Sequence, residues 1–154
     1  MFSDDEKKVL EDFYTSIKML KMMEIVRSDN IFGDIGEYLC TKVYPRLQRV
    51  QSKINPYYDA IENGKKIQIK FSDSKDTKNI DVGNPDKYDG LIVVLGPNSV
   101  HRYANEVAER KNKILFYRFS SKEVKAKFKI QSDHYTLCKR KQFRKADAEL
   151  NAAE

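Results

Sequence analysis

Tyr58-Asp59-Ala60-Ile61-Glu62-Asn63-Gly64-Lys65-Lys66-Ile67-Gln68-Ile69-Lys70 reads as two short strands joined by a tight turn. Asn63-Gly64 between apolar runs is the strongest short-range hairpin signal, because both central positions of a type I′ turn need positive φ. In the second strand the two-residue period puts Ile67, Ile69 and Phe71 on one face and Gln68 and Lys70 on the other. The apolar half is strong enough to be a core face. The polar pair is then expected to line a cleft beside Asp59.

An acid on one strand followed by a polar residue, any residue and lysine on the next resembles the active-site hairpin of the PD-(D/E)xK nuclease superfamily. Asp59 falls at the family's first acid and Lys70 at its lysine, but Gln68 stands where most members carry Glu or Asp. That departure is similar to the Gln-x-Lys variant of Mrr-like modification-dependent restriction nucleases, in which a glutamate on the preceding helix joins the site. Glu37, in Gly33-Asp34-Ile35-Gly36-Glu37-Tyr38-Leu39, is placed to be that glutamate. The resemblance covers about residues 30–120.

The resemblance implies an α/β domain with a restriction endonuclease-like core, a central mixed β-sheet flanked by helices. It implies a Mg²⁺-dependent DNA endonuclease of restriction or phage-defence type, with Mn²⁺ as a substitute metal. Asp59, Gln68 and Glu37 would hold the metal. Lys70 would orient or deprotonate the attacking water and stabilise charge developing on the phosphate. Mg²⁺ prefers oxygen ligands and keeps several waters, so few protein oxygens suffice. Gln68 offers a carbonyl oxygen without charge, which weakens the site relative to a carboxylate, and Glu37 could restore that charge. Two other readings share the same residues. One is a nuclease-fold DNA-binding or assembly protein that has lost its chemistry, and the other is a structure-specific junction resolvase.

Composition is compatible with these readings. The chain has 154 residues, enough for one domain with a sizeable core, and 29 basic against 23 acidic side chains give +6 at pH 7. This modest positive bias suits a phosphate-backbone partner without demanding one. Cys40 and Cys138 are far apart and match no zinc or redox spacing, and His101 and His134 form no ligand cluster. No apolar run reaches membrane-spanning length and the charged start is no signal peptide, so a cytoplasmic protein without a membrane partner is expected.

Along the chain, residues 4–27 read as an amphipathic helix, with Val9, Leu10, Phe13, Ile17 and Leu20 on one stripe and a capping box from Ser3 and Glu6. A second helix is expected over 31–43, stopping before Pro45. Gly33 and Gly36 within it point to close backbone packing. Residues 46–56 fit strand or loop, and Ser72–Lys87 reads as a polar, turn-rich loop. Strands are expected at Leu91–Leu95 and Ile114–Phe119. After them come a helix capped by Ser120 and Glu123, and a strand near Tyr135–Cys138. Residues 99–109 fit either a short helix or an irregular excursion. The expected organisation is an N-terminal helix over 1–29, a nuclease domain over 30–145 and a tail over 146–154.

Candidate DNA contacts are Arg46, Arg49 and Lys53, between the glutamate helix and the Asp59 strand, and the basic run Lys139, Arg140, Lys141, Arg144 and Lys145. Tyr57, Tyr58 and Tyr88 could offer hydroxyls to phosphate, with core packing expected for at least one. Glu62, in the turn, is expected to face solvent, though it is the substitute acid should Asp59 not serve, and the loop acids Asp73 and Asp76 are expected to be solvated. A homodimer is expected because one small domain with one site cuts one strand per encounter, and Met19, Met22 and Met23 on the first helix are the candidate seam.

Overall fold

A computed structural model describes residues 2–51, 57–76, 79–102, 110–131, 134–137, 143 and 145–152. The chain divides into two compact units, Met1–Ile35 and Gly36–Glu154.

The first unit is dominated by α1, Asp4–Met22. Ser3 and Glu6 form the expected reciprocal capping box, the Ser3 N–H donating to Glu6 at 2.6 Å and the Glu6 N–H to Ser3 Oγ at 3.2 Å. The helix ends sooner than residue 27. Met23 caps it and Glu24 takes a positive φ of 56°, which turns the chain out of the helical path. The segment after it is fixed by Asp34, whose buried carboxylate accepts the Arg27 and Ser28 N–H groups at 2.7 and 2.6 Å and the Ser28 hydroxyl at 3.0 Å.

Helix α2, Ile31–Val43, matches its expected bounds and continues into the second unit, whose strands make two sheets. The larger has the order β1-β2-β3-β5-β6-β9, from Leu47–Arg49, Ala60–Glu62, Lys65–Ser72, Gly90–Leu95, Lys113–Ser120 and Ala148–Asn151. All its neighbours are antiparallel except β3 and β5, which run parallel, and the sheet curls toward a half-barrel. The smaller has the order β4-β8-β7, from Ile80–Gly83, His134–Leu137 and Lys129–Gln131. This is an α/β fold with a mixed sheet covered by helices.

The two-residue period sorts the core onto the two faces of the large sheet. On one face Leu91, Val93, Leu95, Leu115 and Tyr117 meet Ile80 and Val82 of β4, together with Val124, Phe128 and Phe143. Val124 comes from α3, Ser121–Lys127, which begins with the expected Ser120–Glu123 capping box. On the other face Ile67, Ile69, Ile92, Val94 and Phe116 meet Cys40 of α2, with Leu39 and Val43 beside it. Gly36 permits that contact, since a Cβ there would lie 2.8 Å from the Phe71 Cβ.

Several segments differ from the sequence reading. Ser72–Lys87 is not a free loop: Ile80 and Val82 within it are buried and β4 pairs with β8. Ala148–Asn151, read as tail, is the edge strand beside β6. Asp73 does not face solvent alone. It accepts the Asn98 N–H at 2.6 Å and its Nδ2 at 3.3 Å, which ties the end of β3 to the turn after β5. Of residues 99–109, only 99–102 are described, as a turn and bend. There the buried Arg102 guanidinium donates to the carbonyls of Gly96 at 3.2 Å, Lys113 at 2.6 Å and Arg110.

Candidate functional site

The hairpin is built as its turn residues require. Asn63 and Gly64 have φ of 51° and 76°, both in the left-handed region, and Ala60–Glu62 pairs antiparallel with Lys65–Ile67. Strand β2 is much shorter than β3, so beyond Ile67 the edge of β3 on the β2 side has no ladder partner. Backbone groups of Ile67 and Ile69 point to that side. The Asp59 N–H donates to the Ile67 carbonyl at 2.9 Å, and the Asp59 carboxylate accepts the Ile69 N–H at 2.8 Å. A side-chain oxygen thus takes the place that a ladder carbonyl would occupy. Asp59 is held, half-buried, beside the backbone link between Gln68 and Lys70.

Gln68 and Lys70 share the face of Leu91 and Val93, their register partners on β5. Gln68 is 6% exposed, and its Oε1 is buried without a hydrogen-bond partner among the described residues. A buried amide oxygen left unpaired costs about 1–3 kcal/mol, so it marks either strain or a place where a ligand atom belongs. Lys70 is half-buried.

Glu37 lies on α2, one residue past the Gly36–Phe71 contact, and is 7% exposed. The helix covers the face of Ile67 and Ile69, opposite to that of Gln68. Glu37 and Asp59 nevertheless act on a common neighbour. Burial pushes the Cys40 thiol well above its ordinary pKa, and the Glu37 carboxylate adds to that shift, as does Asp59; the Arg118 guanidinium opposes them.

The Asp59 carboxylate and the Gln68 amide oxygen have the oxygen chemistry that Mg²⁺ takes, whereas Glu37 stands on the helix that covers the opposite face of β3. Among the described residues no group of three or more His, Cys, Asp and Glu side chains gathers at metal-binding distance. The expected site contains only two such side chains.

Around the hairpin, cations lie over tyrosine rings. Lys66 Nζ is 5.5 Å from the Tyr58 ring centre and Lys87 Nζ 5.6 Å from that of Tyr57, both tyrosines immediately preceding Asp59. On α2 and β1, Lys42 and Arg49 stand 4.8 and 5.7 Å from the Tyr38 ring, next to Glu37. Arg46 and Lys145 are exposed. Tyr88 is a core residue, 4% exposed. Lys53, Lys139, Arg140, Lys141 and Arg144 lie outside the described residues. Sequence reasoning passed over Lys66 and Lys87. Lys66 alternates with Gln68 and Lys70 on one face of β3, a signal already in the period, whereas nothing local marks Lys87.

Glu62 is not solvent-facing. Its carboxylate pairs with both terminal nitrogens of the Arg118 guanidinium, which also lies 4.7 Å over the Tyr44 ring. Arg118 shares the face of Ile92 and Phe116, so the pair spans from β2 to β6 across the curled sheet. It closes one end of the core under α2.

No family model matches the sequence, and no curated protein matches it either. No helix among the described residues is long and apolar enough to cross a membrane.

Proposed function

We propose that this chain is a Mg²⁺-dependent DNA endonuclease, of restriction or phage-defence type, that hydrolyses phosphodiester bonds at the Asp59 edge of β3. The observation that carries the reading is the Asp59–Ile69 hydrogen bond, which fixes a carboxylate at the edge of β3 between the positions of Gln68 and Lys70 in the strand, Gln68 itself carrying a buried amide oxygen that lacks a partner among the described residues. The resemblance of Glu37, Asp59, Gln68 and Lys70 to the Gln-x-Lys nucleases supplies the reaction class.

Asp59 and Gln68 would hold the ion, and Mn²⁺ would substitute for Mg²⁺; Glu37, on the helix over the opposite face of β3, stands outside that pair. When bound, such an ion neutralises charge on the phosphate oxygens and lowers the pKa of a water. The chain's own groups do the rest. Asp59 supplies a charge fixed by the Ile69 N–H, so it needs no reorganisation on binding. Lys70, on the face of Gln68, orients the attacking water and offsets the negative charge that grows on the phosphate. Lys66, Lys87, Arg46, Arg49 and Lys145 contribute phosphate contacts that position the duplex without reading its sequence.

Purified protein incubated with unmodified, base-modified and branched DNA in Mg²⁺ or Mn²⁺ tests the reading. Metal-dependent cleavage lost in Asp59→Ala and Lys70→Ala supports it, and cleavage that survives both substitutions overturns the site. Cleavage of branched DNA alone would make the enzyme a junction resolvase acting through the same residues.

A second reading is favoured by Gln68 itself: a nuclease-fold protein that binds DNA, or an assembly protein, without cutting. An amide in place of a carboxylate removes one charge from the site. Salt-dependent DNA binding without metal uptake would select that reading.

A further inference from the structure

We propose that the edge at Asp59 receives DNA whose bases are unpaired, one of them stacked on Tyr57. This rests on the reading above for its place at the hairpin and goes beyond it in naming the kind of strand.

Exposed apolar surface in the second unit gathers at this edge. Among the described residues there, the large apolar side chains left exposed are Tyr57 and Ile61, at 49% and 40%, and each stands two residues from Asp59. Cations accompany them. Lys87 Nζ lies 5.6 Å from the centre of the Tyr57 ring, and Lys66, the register partner of Ile61, has its Nζ 5.5 Å from that of Tyr58. Lys65, next to it in the strand, is also exposed. Of the neighbouring acids, Asp86 pairs with Lys125, and Asp89 accepts the Lys66 N–H at 2.8 Å. The remaining lysines leave the surface positive.

A nucleotide matches that combination. Its base has a flat apolar face and its phosphate a negative charge, so an exposed ring with an ammonium at its side can hold both. Lys66 and Lys87 would serve the phosphates of a duplex and of a single strand alike. The ring separates the two. A paired base lies between its neighbours in the stack and offers only its edges to the grooves, whereas an unpaired base can lay its face on an aromatic side chain. Tyr57 is the platform, because Tyr58 is half-buried and packs against the core.

The test is binding of the full chain, in EDTA, to fluorescent oligothymidylate and to a fully paired duplex of the same length, read by anisotropy. Tyr57→Leu is expected to weaken single-strand binding by about 5-fold or more and to leave duplex binding unchanged, since stacking needs a π-face. Tyr57→Phe keeps the ring and should bind both DNAs as wild type does. Lys87→Gln should weaken both together and lower their salt dependence. Equal loss on both DNAs in Tyr57→Leu, no loss on either, or no binding of the single strand by wild type would each overturn the proposal. With no metal present nothing is cut, so the two readings fail separately. A chain that binds as expected here but never cleaves in Mg²⁺ overturns the endonuclease alone, and one that cleaves while Tyr57→Leu binds as wild type overturns the stacked base alone.

Discussion

The Asp59 carboxylate accepts the Ile69 N–H at 2.8 Å, where β2 has already ended and β3 continues. That bond fixes the acid by backbone geometry, since Ile69 is itself held in register with Ile92 of β5. Asp59→Asn keeps an acceptor for the Ile69 N–H and removes only the charge. Cleavage should fall by at least about 10²-fold with thermal stability nearly unchanged. Asp59→Ala should lose both activity and some stability, because Ile69 then lacks its acceptor. Parallel activity and melting measurements separate the two.

Gln68 carries the opposite trade. Its Oε1 is buried and unpaired, so Gln68→Leu removes an unsatisfied polar atom and is expected to leave stability unchanged or raise it by about 1 kcal/mol. The same substitution should abolish metal-dependent cleavage. Gln68→Glu should tighten Mn²⁺ binding, since it returns a charge to the site. Urea unfolding and Mn²⁺ titration of the two variants check both signs.

The core under α2 should weaken in alkali. Burial pushes the Cys40 thiol well above its ordinary 9.0 and the Tyr44 hydroxyl well above its ordinary 10.0, so both keep their protons in the folded chain. The unfolded chain releases those protons at lower pH. Their contribution is therefore fully present below about pH 9 and is lost as pH rises further, because the unfolded state then binds fewer protons than the folded one. Unfolding measured from neutral to alkaline pH should show stability falling above that point, and Cys40→Ala with Tyr44→Phe should flatten the slope. Thiol reagents should leave Cys40 unmodified until the chain unfolds.

The Glu62–Arg118 pair is only partly exposed, at 16% and 34% of the two side chains. Its value lies between that of a surface pair and a buried one. Arg118→Met should destabilise the chain by about 1–3 kcal/mol by stranding Glu62, and Glu62→Gln by less. In the double variant part of the loss should be recovered, and a double-mutant cycle read by urea unfolding measures it.

The hairpin, both capping boxes, α2 and the two central strands were legible because each is fixed by local chemistry. Asn63-Gly64 demands positive φ, Ser120 and Glu123 satisfy one another, and Leu91–Leu95 is apolar throughout. What the sequence hid depends on distant partners. β4 has two apolar residues in a polar stretch, and only pairing with β8 makes it a strand. Ala148–Asn151 is held by β6, from which it is separated by the whole of α3 and the smaller sheet's last strands. At the candidate site the spacing showed which residues share a face, but not that β2 ends at Ala60 and leaves Asp59 to bond the open edge. Glu62 was misplaced for the same reason: its partner Arg118 is 56 residues away.

Mn²⁺ uptake by the full-length chain, followed by electron paramagnetic resonance, tests the central claim most directly, because it requires neither the right DNA nor turnover. The account predicts that the wild-type chain binds Mn²⁺, that Asp59→Asn abolishes this, that Gln68→Leu weakens it, that Gln68→Glu strengthens it, and that Glu37→Gln leaves it unchanged. A chain that takes up no Mn²⁺, or takes it up equally well in all four variants, would contradict a metal site at the Asp59 edge.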